Sequence, residues 1–340
     1  MPEFSSVEAK ILNLLQREFP LTERPFDELG ARAGLTGTDV LRIVADLKQR
    51  QVVRTIAGIF SGESLGYYLS LVALRVPAEG VEKAAEIING HPGVSHNYLR
   101  DHVFNLWFTL AEEDEESLQK SARVIQEQCG AEDFLILRNE KLLKIGFMLH
   151  IGDEGAGVAG APPKSASRNG IMNRDDQQAV FLLQSDLPLV ERPFDALAEK
   201  DDSLSGDMLI QTGRRLLASG VMRRFAAVLR HAKAGFTHNA MTAWKIDMDS
   251  GFSERISPFM DERAVTHLYM RTLHPGRWEH PLFAMVHARS ADEMAGLLDG
   301  LARRSGLQDR LVLRSLHEYK KKKVLYFSSA FKEWKRLNYD

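Results

Sequence analysis

Over the first fifty residues the apolar positions recur at helical spacing. Val7, Ile11, Leu12, Leu14, Leu15 and Phe19 fall on one face of VEAKILNLLQREF, which predicts an amphipathic helix. PFDELGARAG opens on Pro25, a residue suited to a first helical turn, and ends on Gly34, which predicts a short second helix. TGTDVLRIVADLKQRQ starts with a capping Thr36 and places Val40, Leu41, Val44 and Leu47 at helical spacing, a third helix. VVRTIAGIF then reads as a short strand pair, and three helices with a strand pair make a winged helix-turn-helix. Next come a β-rich run (YYLSLVALRV), a helix (EGVEKAAEIING) and strands around VSHNYLR and NLWFTLA. A further helix follows, then strands around FLILR and KIGFML, so the order is βαββαβ, that of a ferredoxin-like domain.

This plan is written twice. LLQREFPLTERPFDEL (14–29) returns as LLQSDLPLVERPFDAL (182–197), HNYLR (96–100) as HLYMR (267–271), and LILR (135–138) as LVLR (311–314). Between the copies, IGDEGAGVAGAPPKSASRNG is rich in Gly, Ala, Pro and Ser and has no periodicity, which predicts a flexible linker. The expected fold class is α+β, a tandem duplication of a winged helix-turn-helix followed by a ferredoxin-like domain. The boundaries fall at 1–60 and 61–150 for the first half, 151–170 for the linker, and 171–231 and 232–340 for the second half.

The copies diverge at the wing. VVRTIAGIFSGESLGY (52–67) aligns without gaps with VMRRFAAVLRHAKAGF (221–236). To the shared arginine, Arg54 or Arg223, the second copy adds Arg224, Arg230, His231 and Lys233. Arg forks bind carboxylates bidentately, and clustered cations repel one another unless an anion neutralises them. The chain as a whole has a net charge of −2, which argues against a protein devoted to coating nucleic acid. Its single cysteine, Cys129, excludes an internal disulfide and a cysteine-based metal cluster within one chain. The opening MPEFSSVEAK has no secretory pattern and no apolar run reaches membrane-spanning length, so a cytoplasmic protein without membrane contact is expected.

A winged helix followed by a ferredoxin-like domain resembles the Lrp/AsnC regulators, and the resemblance covers both halves. It implies DNA binding with amino-acid sensing, but the residues depart from it. The third helix offers Arg42, Lys48 and Arg50 against Asp39 and Asp46, and its second-half counterpart only Gln211, Arg214 and Arg215. DNA binding is therefore not expected, and these helices are expected to pack on the rest of the protein. The Gly-and-Asp sensor motif of those regulators is replaced by LRDHVFNLWF and MRTLHPGRWEHPLFAM, which favour a larger, flat, anionic ligand. Side chains alternate along a strand, so His96, Tyr98 and Arg100 share a face, as do His267, Tyr269 and Arg271. In dimers of the Lrp/AsnC type the two sheets face each other. The fused halves are expected to form such an internal pseudo-dimer, with these rows lining a cleft between them and a homodimer left open.

RRFAAVLRHAKAGF followed by HNAMTAW resembles the wing segment of the siroheme decarboxylases, second-subunit type (NirL, AhbB). RTIAGIFSGESLGYYLSLVALRVP with HNYLRDHVFNLWFT resembles the partner type (NirD, AhbA), so the chain is similar to a fused NirD–NirL protein. The resemblance implies conversion of siroheme, which carries eight carboxylates, to 12,18-didecarboxysiroheme in haem d1 or alternative haem synthesis. It implies no added cofactor, since siroheme brings its own iron. On this reading His231, His267 and His280 are the candidate proton donors. Arg223, Arg224, Arg230 and Arg271, with Tyr269, His96, Arg100 and Lys322 of the run KKKK (320–323), are the candidate carboxylate holders. No metal set is expected: His274, Glu279 and His280 match no zinc spacing. The wing asymmetry implies one productive site, chiefly in the second half. A DNA-binding regulator and a non-catalytic haem or siroheme sensor are the alternatives.

Overall fold

The three apolar-periodic segments of the first half form α1 (Ser6–Arg17), α2 (Pro25–Ala33) and α3 (Gly37–Gln49). The structure, a computed structural model, describes residues 4–17, 19–145, 172–229 and 238–339. The expected linker at 151–170, the end of KIGFML, and Arg230, His231 and Lys233 lie outside those residues. Thr36 caps α3 through a reciprocal box with Asp39, whose backbone N–H donates to Thr36 Oγ1 at 3.1 Å. There follow β1 (Val53–Phe60), β2 (Tyr68–Arg75), α4 (Val81–Gly90), β3 (Val94–Arg100), β4 (Leu106–Glu112), α5 (Glu115–Gln128) and β5 (Asp133–Ile145). The second half repeats the order with α6 (Arg174–Leu183), α7 (Pro193–Ala198), α8 (Gly206–Ala218), β6 (Met222–Leu229) and β7 (His238–Trp244). It continues with α9 (Phe252–Asp261), β8 (Val265–Arg271), β9 (Leu282–Ala288), α10 (Ala291–Ser305) and β10 (Arg310–Lys321), and adds α11 (Ser329–Asn338).

The wing differs from expectation. VVRTIAGIF is one strand rather than a strand pair, and β1 pairs antiparallel with β6 of the other half, with Gly58 opposite Phe225 and Ala57 opposite Ala226. No turn residues interrupt either segment, so neither folds back on itself, and each covers the other's exposed edge. Around this ribbon the two helical units share one apolar core, in which Phe19 of the first half meets Phe225 of the second at 5.5 Å between ring centroids. The repeated ERPFD motif ties them reciprocally: Arg24 pairs with Glu191 at 3.2 Å and Arg192 with Glu23 at 2.7 Å. These exposed pairs fix register and contribute at most about 1 kcal/mol each.

The ferredoxin-like units also join. The order β10-β3-β4-β2-β5-β8-β9-β7 closes into a barrel. FLILR and KI, expected as separate strands, are one strand, β5, that changes partner midway. Residues 133–138 pair with β2 and 139–145 with β8 of the other half. β10 does the same, pairing with β7 through 310–314 and with β3 through 315–321. The faces separate cleanly. Val72 and Phe108 pack against Ile125 of α5 and the apolar face of α4, and Trp244 and Leu268 pack against Leu301 of α10 and Phe259 of α9. Leu71, Trp107, Leu137, Phe283 and Leu313 fill the space between the sheets, with Tyr269 packed against them. Among the described residues no helix is long and apolar enough to cross a membrane.

Candidate functional site

Strand period two puts Leu268 and Met270 toward the helices, and therefore His267, Tyr269 and Arg271 on the inner face of β8. The same alternation in β3 sets His96, Tyr98 and Arg100 on the inner face of the first sheet. The structure thus brings both predicted rows into the space between the halves.

The rows are built alike. Arg100 Nη1 donates to the carbonyl of Leu313 at 2.8 Å, and Arg271 Nη1 donates to the carbonyl of Leu137 at 2.9 Å. Each arginine therefore crosses to a strand of the opposite half. Each guanidinium lies over the ring of its row tyrosine, at 5.1 Å for Arg100 over Tyr98 and 5.0 Å for Arg271 over Tyr269. Both are buried, both leave Nε without a hydrogen-bond partner, and neither pairs with a described carboxylate. Burial pulls each guanidinium down to about 10, still protonated at neutral pH. Two buried cations without counter-anions are costly unless a ligand supplies the anion.

Each row histidine rests on the hydroxyl before it. His96 Nδ1 lies 2.9 Å from Ser95 Oγ, and His267 Nδ1 lies 2.9 Å from Thr266 Oγ1, which also meets His287 Nε2 at 3.0 Å. Burial, then the charges of His287, His96 and Arg223, hold His267 down to about 4. Burial, then Lys321, hold His96 down to about 4, with Glu318 acting in the other direction and Arg54 adding to the decrease. Both imidazoles are neutral at neutral pH in the ligand-free chain.

The wing contributes unequally. Arg223 is exposed, and its charge reaches His267, Tyr269 and Tyr326. No described residue hydrogen-bonds or ion-pairs with it. Arg224 is half-buried on the opposite face of β6, and burial alone lowers its pKa. Arg54, the first-half counterpart of Arg223, donates from Nη2 to the carbonyl of Lys321 at 3.3 Å.

Three other residues singled out in the sequence sit elsewhere or are engaged. His280 Nε2 lies 2.8 Å from Asp309 Oδ1, and its ring meets Trp278 beyond the Arg271 end of the row, away from His267. His274 Nε2 lies 2.9 Å from the carbonyl of Ile136, and Glu279 pairs with Lys245 at 2.7 Å. No group of three metal-ligating side chains occurs among the described residues. In the lysine run, Lys322 is exposed and its backbone N–H donates to Ser95, whereas Lys321 is the lysine whose charge His96 feels. Tyr326 also faces this region, unmarked by any motif; its hydroxyl is pushed up to about 12 by burial, and its neighbourhood includes Arg223 and Glu63. Its signal was its position just past the lysine run.

The basic residues of the third helices are committed to the protein itself. Lys48 pairs with Asp186 of the other half at 2.8 Å, Arg50 with Glu8 and Asp46, Arg42 with Asp39 and Arg215 with Asp176. Arg214 Nε donates to the carbonyl of Leu21 at 3.0 Å. A groove of about 650 Å³ lies outside the barrel, lined by Phe134, Ile136, Met270 and Thr272. Met270 and Thr272 alternate with the row residues and face away from them, so the groove is separate from the rows. Chemically, the two rows offer fixed cations for carboxylates, aromatic rings for a planar ligand, and neutral imidazoles whose hold on a solvent proton a nearby anion would strengthen.

Comparisons with known proteins match both halves of the chain. The family model described as AsnC-like ligand binding domain matches residues 64–144 and 233–320. That described as siroheme decarboxylase NirDL-like HTH domain matches residues 8–54 and 176–223. The chain is 34% identical over 327 residues to the siroheme decarboxylase of Hydrogenobacter thermophilus, covering 96% of each chain. It is 31% identical over 293 residues to the siroheme decarboxylase NirDL subunit of Paracoccus denitrificans, covering 86% of this chain and 88% of that one. Its fold matches the crystal structure of the siroheme decarboxylase NirDL with a TM-score of 0.77 at 30% identity, over 98% of both chains. The same enzyme in co-complex with an iron-uroporphyrin III analogue matches with a TM-score of 0.78 at 30% identity, over 97% of this chain and 98% of that one.

Proposed function

The chain belongs to the siroheme decarboxylase family, and from that membership we propose that it removes carbon dioxide from two acetate side chains of siroheme, giving 12,18-didecarboxysiroheme. The observation that carries the siting of this reaction is the pair of buried guanidiniums, Arg100 and Arg271, each with an unpartnered Nε and no ion pair to a described carboxylate. An octacarboxylate ligand supplies the missing anions.

In the second half Arg271 and Arg223, with Tyr269, hold carboxylates of the tetrapyrrole, and the rings of Tyr269 and Tyr326 flank its plane. Arg230 and His231 continue the same wing segment and belong to this proposal by sequence; Arg224 faces away, and His280 is tied to Asp309. When a carbon–carbon bond to a carboxylate breaks, carbon dioxide leaves and the electron pair stays on the methylene carbon. A proton from His267 then completes the methyl group. Restraint of the remaining carboxylates selects which acetates reach the acid. Siroheme carries its own iron, and these steps call on no added cofactor. The product's use in haem d1 or haem synthesis and any pairing of two such chains are part of the same reading.

His267 is neutral in the free chain, so it must gain its proton with the substrate. Carboxylates close to a buried imidazole stabilise the imidazolium and raise its pKa. Binding near neutral pH is therefore expected to take up protons, and affinity to strengthen as pH falls toward about 4, where the free histidines titrate. Titration calorimetry of an unreactive iron uroporphyrin in buffers of different ionisation enthalpy reads this directly. A heat independent of buffer contradicts it. The same shifts bear on the free protein. Its two row histidines titrate below the ordinary value of 6.5, so their contribution to stability is full above 6.5 and is lost as pH falls through about 4.

The activity itself is tested by anaerobic incubation with siroheme and mass analysis of the extracted tetrapyrrole. Loss of one and then two carbon dioxide units is expected; tight binding with unchanged mass would make the protein a sensor.

A further inference from the structure

The two rows share His, Tyr and Arg in the same order, so the reason for one to bind an anionic tetrapyrrole and the other not must lie in what faces them. Across the sheet from Tyr98, on β10, stands Glu318. Tyr98 donates from its hydroxyl to Glu318 Oε2 at 3.0 Å, and Lys321 Nζ lies 3.8 Å from the same oxygen. A carboxylate of the chain already stands beside His96 and Tyr98, where a substrate carboxylate would be received. In the second row the residue across from Tyr269 is Leu142, on β5. The Tyr269 hydroxyl has no hydrogen bond among the described residues. The acid whose charge reaches that row, Glu63, is exposed; it acts on Tyr269 and Arg271 without a hydrogen bond to either, and its polar contact is with Asn139 Nδ2 at 3.5 Å.

We propose that Glu318 acts as a built-in carboxylate that closes the first-half row, and so confines the anionic tetrapyrrole to the second half. The inference rests on the proposed siting of siroheme between the halves and adds the residue that makes the two pseudo-equivalent places unequal. A ligand entering the first row must displace Glu318 from Tyr98 and then bear the repulsion of its carboxylate, with which Lys321 is already paired at 3.8 Å. In the second row the same ligand meets a leucine and Arg223.

Two variants separate charge from occupancy. Glu318→Leu reproduces the second row, and Glu318→Gln keeps the tyrosine contact without the charge. Wild type and variants are titrated with iron uroporphyrin, an unreactive octacarboxylate, and stoichiometry is read from absorbance, with circular dichroism confirming the fold. The proposal expects a single equivalent per chain for wild type and a second, weaker equivalent for Glu318→Leu. Glu318→Gln is expected to admit the second equivalent as well, because the repulsion is gone. A single equivalent in both folded variants overturns the proposal while leaving the second-half site standing. Two equivalents in wild type overturn it equally, and no binding by any form removes the siting on which it depends.

Discussion

Replacing His267 with Gln is expected to slow decarboxylation on the order of 100- to 10,000-fold, the usual contribution of a positioned proton donor, while siroheme affinity changes only a few-fold. The two effects separate because His267 has one task in each state. In the free chain it is half-buried and neutral, resting on Thr266 Oγ1 at 2.9 Å, a contact that a glutamine amide can also make. Substrate carboxylates are held by Arg271 and Arg223, whose positions do not depend on the imidazole: Arg271 is fixed by the Leu137 carbonyl across the seam. Glutamine cannot deliver a proton near neutral pH. The variant should therefore bind siroheme and return it unchanged, and single-turnover mass analysis beside an absorbance titration reads both quantities. A fully active variant would exclude His267 as the essential acid and move the role to His231.

Replacing Arg223 with Ala is expected to weaken siroheme binding about 10- to 100-fold, the loss of one charge-assisted hydrogen bond of about 1.5–3 kcal/mol. Arg223 is exposed, with no described partner in the chain, so its removal leaves no orphaned group and the fold should be untouched. The affinity of wild type should also fall more steeply with salt than that of the variant, because a surface cation is screened. Arg54→Ala is the matched control. It stands at the equivalent place of the first half, beside a row in which Glu318 already faces Tyr98, and its loss should change affinity far less. Equal losses in the two variants, or none in Arg223→Ala, would place the ligand elsewhere in the cleft.

The two rows were legible because a strand has period two and the chain repeats itself. HNYLR and HLYMR keep His, Tyr and Arg on one face wherever the strands go, and the helix-facing Leu268 and Met270 leave only the inner face for them. The helices were legible from apolar spacing and from Thr36 and Pro25. What the sequence hid are pairings between distant segments. A strand such as VRTIAGIF has the same local pattern whether its partner is the next segment or one in the other half, so the cross-paired wing could not be read from it. The merging of FLILR with KI into β5 escaped for the same reason, since the change of partner midway along it is set by barrel closure. Glu318 faces Tyr98 across 220 residues of chain, and nothing beside it in the sequence marks it as part of a site. The pairing of His280 with Asp309 was hidden as well, because an aromatic, histidine-rich loop looks the same with or without Asp309 opposite it.

The most direct test of the account is a single-turnover anaerobic reaction of siroheme with wild type, His267→Gln and His96→Gln, followed by mass analysis of the tetrapyrrole. Wild type and His96→Gln are expected to remove two carbon dioxide units, and His267→Gln to return siroheme unchanged. Conversion by His267→Gln together with failure of His96→Gln would contradict this, and would place the reaction in the first half instead.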